Sequence, residues 1–127
     1  MIFEQLFDTK SSTYTYIISS GKGREALIID PVIEHSDEYL KILKNLELKL
    51  VKVIDTHIHA DHISGLNELN KRTNCTRIMG EKSKSEVVDI KLKLFFNCFM
   101  SRPSPFFSLK HYIPLQIREE FRFHLPI

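Results

Sequence analysis

The sequence predicts a layered α+β domain. Three features carry the prediction: runs of β-branched and aromatic residues, apolar residues at helical spacing between them, and turn residues that set the order β-β-β-α-β-α-β. Residues 2–7 read as a first, weak strand and residues 13–18 (Thr-Tyr-Thr-Tyr-Ile-Ile) as a strong one. Gly21-Lys22-Gly23 supplies permissive backbone for a turn. Residues 26–30 follow as a largely buried strand, ended by Pro31, which cannot donate to a sheet ladder. These three strands are expected to be consecutive antiparallel neighbours. A helix then starts at Ser36, expected to cap free amides, with Asp37 and Glu38 at the positive end of its dipole. Tyr39, Leu40, Leu43 and Leu46 recur at helical spacing. Residues 49–55 return to a strand, residues 64–71 to a second helix, and residues 76–79 to a short strand. Beyond residue 90 the signals weaken to a strand at 91–96 and a short helix at 115–123.

The 127 residues are 43% apolar and 27% charged, with a net charge of +2, which is ordinary globular composition and fits one domain. Two cysteines, Cys75 and Cys98, are too few for a disulfide framework and read as small buried or incidental residues. The first residues lack the pattern of a secretory signal. The most apolar stretch, residues 92–100, is broken by Lys93 and Asn97 and falls well short of the ~20 residues a membrane span needs. A soluble, cytoplasmic protein with no membrane partner is expected. The basic residues are scattered and no nucleic-acid-binding signature accompanies them, so no nucleic-acid partner is expected either.

The average conceals a split. Residues 1–90 hold 12 Lys/Arg against 14 Asp/Glu, and residues 91–127 hold 6 against 2. All four glycines lie in the first part, and seven of the nine phenylalanines in the second. The tail does not read as a continuation of the same pattern.

The chemistry concentrates in residues 56–62, Thr-His-Ile-His-Ala-Asp-His, directly after the fourth strand. In extended backbone His57 and His59 project to one side, so their nitrogens can converge on one ion. Asp61 and His62 fall where the chain must turn and can bring an oxygen and a third nitrogen to the same pocket or to a second ion. Imidazole with carboxylate suits Zn²⁺ or Fe²⁺, whereas a thiol-rich set would indicate a closed structural zinc. The alternative is a solvated loop whose Asp61 or Ser64 caps the next helix. His35, His111 and His124 are expected at the surface.

The run THIHADHISG, residues 56–65, resembles the HxHxDH signature of the metallo-β-lactamase superfamily. The opening FEQLF (3–7), STYTY (12–16) and IIDPV (28–32) resemble its persulfide dioxygenase branch, with glyoxalase II, the hydroxyacylglutathione hydrolases, as the nearest relatives. The similarity covers roughly residues 2–92. It implies a four-layer αββα sandwich with metal at one edge between two sheets, of which this chain carries the amino-terminal half. In dinuclear hydrolases of the family the positions of His57 and His59 bind one metal and those of Asp61 and His62 the other. In persulfide dioxygenases one Fe²⁺ is held by the position of His57, a later histidine and a later aspartate. Asp30 resembles a family aspartate that supports the metal loop from behind. The resemblance further implies a glutathione-linked substrate: a persulfide oxidised to sulfite with Fe²⁺, or alternatively a thioester hydrolysed with Zn²⁺.

Both branches need a later PGHT-like histidine and TGD-like aspartate. No aspartate follows Asp89, and His111 and His124 sit in other contexts. Residues 1–92 are therefore expected to form the first half of such a domain, and residues 93–127 a divergent tail, read in a shifted frame or replaced. As it stands the chain is expected to be catalytically silent. Translating the coding DNA beyond codon 93 in the other two frames tests the tail: PGH and GD motifs should appear in one of them.

Overall fold

A computed structural model of the chain describes residues 1–80 and 88–92. The elements are strands β1 (Ile2–Asp8), β2 (Thr13–Ser19) and β3 (Glu25–Ile29), helix α1 (Ser36–Asn45), strand β4 (Lys49–Asp55), helix α2 (Leu66–Thr73), and strands β5 (Thr76–Gly80) and β6 (Ile90–Leu92). Among the described residues the strands form one six-stranded sheet in chain order, β1-β2-β3-β4-β5-β6. The first two pairings are antiparallel, as expected, and the last three are parallel. The tail, residues 93–127, with its expected helix and most of its expected strand, lies outside the described residues.

The period-two pattern explains how the sheet is filled. Ile17, Ala26, Ile28, Leu50 and Val53 pack with Tyr39 and Leu43 of α1 and Leu66 and Leu69 of α2 in one core. Each fully buried aliphatic side chain there contributes about 1.5–3 kcal/mol. Leu50 and Val53 are three apart, yet both join this core because the β3–β4 register slips by one residue between Ala26 and Leu27. The opposite face carries the row Tyr16, Ile29, Ile54 and Ile78 across four strands, and these are buried as well. A sheet apolar on both faces is an inner layer, as a four-layer sandwich requires.

Two local expectations need correction. Ser36 does not cap α1: a 3₁₀ turn, Ile33–His35, precedes it, so Ser36 is already helical and its hydroxyl donates back to the Ile33 carbonyl at 2.7 Å. His35 is not a free surface residue. Its Nε2 lies 3.0 Å from Asp8 Oδ1 and its Nδ1 3.2 Å from Glu38 Oε2, so it ties β1 to α1. Cys75 is buried, and burial raises its thiol above the ordinary value, which suits an inert core residue.

Candidate metal centre

The site is built at the ends of β3 and β4, where parallel strands deliver Asp30 and the loop 56–65 side by side. Asp30 takes a left-handed backbone conformation (φ 51°), tolerable for aspartate, which turns its carboxylate back over the sheet edge. Its amide donates to the Ile54 carbonyl at 2.8 Å. The carboxylate makes three contacts: Oδ1 accepts the Thr56 amide at 2.7 Å and lies 3.1 Å from His59 Nε2, while Oδ2 accepts the Thr56 hydroxyl at 2.7 Å. The far end of the loop is clamped by the Ile33 amide on the Ile63 carbonyl and the Gly65 amide on the Pro31 carbonyl. Gly65 is needed for space, since a Cβ there would stand 3.1 Å from the Pro31 Cβ.

This bracing gathers the expected residues. The His57 and His59 rings are 4.1 Å apart between centroids, and those of His59 and His62 are 4.2 Å apart. Two sets offer ligand atoms within 4.8 Å of one another: Asp30, His57 and His59, and His59, Asp61 and His62. Proton counting shows which nitrogens donate. The single Thr56 hydroxyl proton goes to Asp30, so the 2.8 Å contact between Thr56 Oγ1 and His57 Nδ1 requires Nδ1 to donate, leaving Nε2 with the lone pair. His59 Nε2 likewise faces a carboxylate oxygen and donates, leaving Nδ1 with the lone pair. Asp30 holds Thr56 and His59 through these contacts.

The electrostatics follow from the packing. Burial lowers the pKa of His57, helped by repulsion from His59, so it is neutral and able to ligate. Burial also acts to lower that of His59, but the hydrogen bond and charge of Asp30, with Asp55 and Asp61, outweigh it and raise the value. Asp61 is exposed and held below the ordinary carboxylate range by a backbone hydrogen bond, with His62 and His59 acting in the same direction. The clearest sign that the arrangement fits a cation is His62 Nε2, a buried nitrogen with no hydrogen-bond partner among the described residues. An imidazole-rich donor set with one carboxylate suits zinc or iron.

Residues 8–126, which include this loop, match the family model of the metallo-beta-lactamase superfamily. The chain belongs to the metallo-β-lactamase superfamily. Within it, the chain is 44% identical over 69 residues to the mouse protein "Persulfide dioxygenase ETHE1, mitochondrial", a match covering 54% of this chain and 27% of that one. It is 32% identical over 59 residues to a Cyanothece hydroxyacylglutathione hydrolase, covering 46% and 22%. The crystal structure of ETHE1 from Myxococcus xanthus superposes with a TM-score of 0.69 at 43% identity, covering 73% of this chain and 41% of that one. The chain thus spans about a quarter of the length of the curated relatives it matches.

Sequence reasoning missed Asp55. It is 3% exposed, its Oδ1 has no partner, and burial pushes its carboxyl up to about 6, with Ser64 and His59 acting against the rise and Asp30 with it. The available signal was alternation: Asp55 is two residues before His57 and four before His59, an acid at the end of an apolar strand. The cap of the second helix is Gly65, not Ser64 or Asp61; the Ser64 hydroxyl, one residue earlier, accepts the Leu66 amide at 3.1 Å.

Proposed function

We propose that residues 56–62 are the first part of the metal site of a persulfide dioxygenase-type protein acting on a glutathione-linked persulfide. The observation that carries this reading is the convergence of His57, His59 and His62 with an unpartnered buried nitrogen, in a chain 44% identical over its matched segment to a persulfide dioxygenase. His57 Nε2 would be the ligand to an Fe²⁺. Bound iron would supply an electron-rich centre with open positions for O₂ and the substrate sulfur. The chain's own residues orient this ligand: Asp30 holds the Thr56 hydroxyl, and Thr56 fixes the His57 tautomer.

His57 is one ligand of the three that iron in this branch needs, and no aspartate follows Asp89. We therefore read the 127 residues as a metal-binding unit that does not by itself turn over persulfide. The second reading is a zinc-dependent thioester hydrolase of the hydroxyacylglutathione type, and it is favoured by the second ligand set, His59, Asp61 and His62, which a pair of ions would use. In that reading bound zinc would supply an acidified water.

Metal analysis separates the two. The purified chain, incubated anaerobically with Fe²⁺ or with Zn²⁺ and desalted, should retain at most one iron, lost on His57→Ala. Retention of two zincs, with thiol release from a glutathione thioester, would favour the hydrolase. Oxygen consumption with glutathione persulfide that disappears in His57→Ala would overturn the inactive reading while supporting the dioxygenase lineage.

A further inference from the structure

The β1–β2 turn is wired into the metal loop. Asp8 Oδ2 accepts both the Ser11 amide at 2.8 Å and the Ser11 hydroxyl at 2.6 Å. Ser11 Oγ lies 2.9 Å from Thr13 Oγ1, and Thr13 Oγ1 lies 3.1 Å from His62 Nδ1 and 3.4 Å from Asp61 Oδ2. Behind this row, Asp8 Oδ1 meets His35 Nε2 at 3.0 Å. The Ser11 hydroxyl and His35 hold the Asp8 carboxyl well below the ordinary range, so it acts only as an acceptor.

Each hydroxyl carries one proton, and this fixes the direction of the row. The Ser11 hydroxyl offers its proton to Asp8 Oδ2 or to Thr13 Oγ1, and the Thr13 proton goes to the Asp61 carboxylate. With that proton on Asp61, Thr13 Oγ1 has none left for His62, so His62 Nδ1 is the donor. Asp61 Oδ1, 3.3 Å from the same nitrogen, demands the same. The lone pair is thereby placed on Nε2, the buried nitrogen that has no partner among the described residues.

We infer that Thr13, supported by Ser11 and Asp8, is a positioning residue that sets the ring orientation and tautomer of His62, presenting Nε2 to a metal ion. The inference rests on the second of the two readings above, in which His62 is a metal ligand, while the hydrogen-bond geometry itself is independent of the metal. It assigns to Thr13, 49 residues away in sequence, the task that Thr56 performs for His57 from the adjacent position. Partners that fix a ligand imidazole in this way typically change metal affinity 10–100-fold when removed.

The test is the ring-nitrogen NMR spectrum of the metal-free 127-residue protein, which distinguishes Nδ1–H from Nε2–H directly, followed by zinc titration by calorimetry. Wild type should show His62 as the Nδ1–H tautomer. Thr13→Val, nearly the same shape without the hydroxyl, should shift His62 toward Nε2–H and weaken zinc binding about 10–100-fold. Thr13→Ser should restore both. An Nε2–H tautomer in wild type, or a folded Thr13→Val protein with unchanged tautomer and zinc affinity, would overturn the inference. If Thr13→Val fails to fold, Ser11→Ala decides: a weakened Nδ1–H preference supports the row, and an unchanged one overturns it. Wild type that binds no zinc would count against the functional reading, whereas the tautomer result stands or falls on its own.

Discussion

The ends of β3 and β4 lie side by side and each closes on an aspartate, yet the two carboxylates have opposite fates. Asp30 accepts from Thr56 twice and meets His59, and its carbonyl also takes the Thr15 hydroxyl at 2.7 Å. Asp55, equally buried, leaves one oxygen bare and is pushed up to about 6. Both stand beside the histidine loop, so position alone does not decide what an acid does there. The difference is the supply of donors: the left-handed turn at Asp30 aims its carboxylate at the Thr56 amide and hydroxyl, whereas Asp55 remains in the sheet, where Ser64 bonds its carboxylate and Oδ1 has no donor among the described residues.

Substitutions at the two ends should therefore act in opposite directions. Asp30→Ala strips the acceptor from the Thr56 amide, the Thr56 hydroxyl and His59 together, and should cost about 3–5 kcal/mol in urea unfolding, with loss of metal retention. A loss below about 1 kcal/mol would mean that the Ile63 and Gly65 clamps suffice to hold the loop.

Asp55→Asn should do the reverse in the metal-free protein. For an acid whose folded pKa lies above its ordinary 3.8, the folded state binds the extra proton, so stability falls as pH rises from about 4 to about 6 and is flat above. The asparagine variant should lack that slope and be more stable than wild type at pH 7, on the order of 2 kcal/mol. Equal slopes in the two proteins would show that Asp55 finds a second donor in solution.

A smaller effect is expected one layer behind Asp30. The Tyr39 hydroxyl accepts the Val32 amide at 3.1 Å and lies 3.1 Å from Thr15 Oγ1, so Tyr39→Phe leaves a buried amide unpaired and should cost about 1–2 kcal/mol. The smallest concerns Asp89, at the far edge of the sheet, whose carboxylate takes three hydrogen bonds from Arg77 and is held down to about 2. Its contribution is present above pH 4 and fades as pH falls toward 2. Asp89→Asn should remove this acid-side slope and leave stability at pH 7 little changed, because the pair is exposed. A large loss at pH 7 would mean that Arg77 and Asp89 hold β6 in register.

Most elements were legible before any coordinates because each has a local cause. β4 was placed on its observed residues, since an apolar run ending at Asp-Thr-His announces where the strand stops. β2 and β5 differ by one residue at their ends. The second helix was placed two residues early at both ends because Ser64 is a good cap by type, yet the chain is held at Gly65 by the Pro31 carbonyl and turns helical only afterwards. The histidine cluster was legible for the same reason as β4, its members lying within six positions. Asp55 is not singled out by sequence, because a strand-ending acid looks ordinary until its burial and its bare Oδ1 are visible.

The sequence alone determined the strand and helix order, the clustering of imidazoles in residues 56–62 and the family, all of which depend on residue type and short spacing. Only the tertiary structure decided which partner faces which nitrogen of each histidine. The partners from other elements are Asp30 at the end of β3 and Thr13 at the start of β2, which the antiparallel hairpin and the parallel β3–β4 pairing bring to the loop. Periodicity can state that two residues share a face. It cannot count the protons that pass between residues 49 positions apart, because that count depends on distances of about 3 Å that exist only once the sheet has formed.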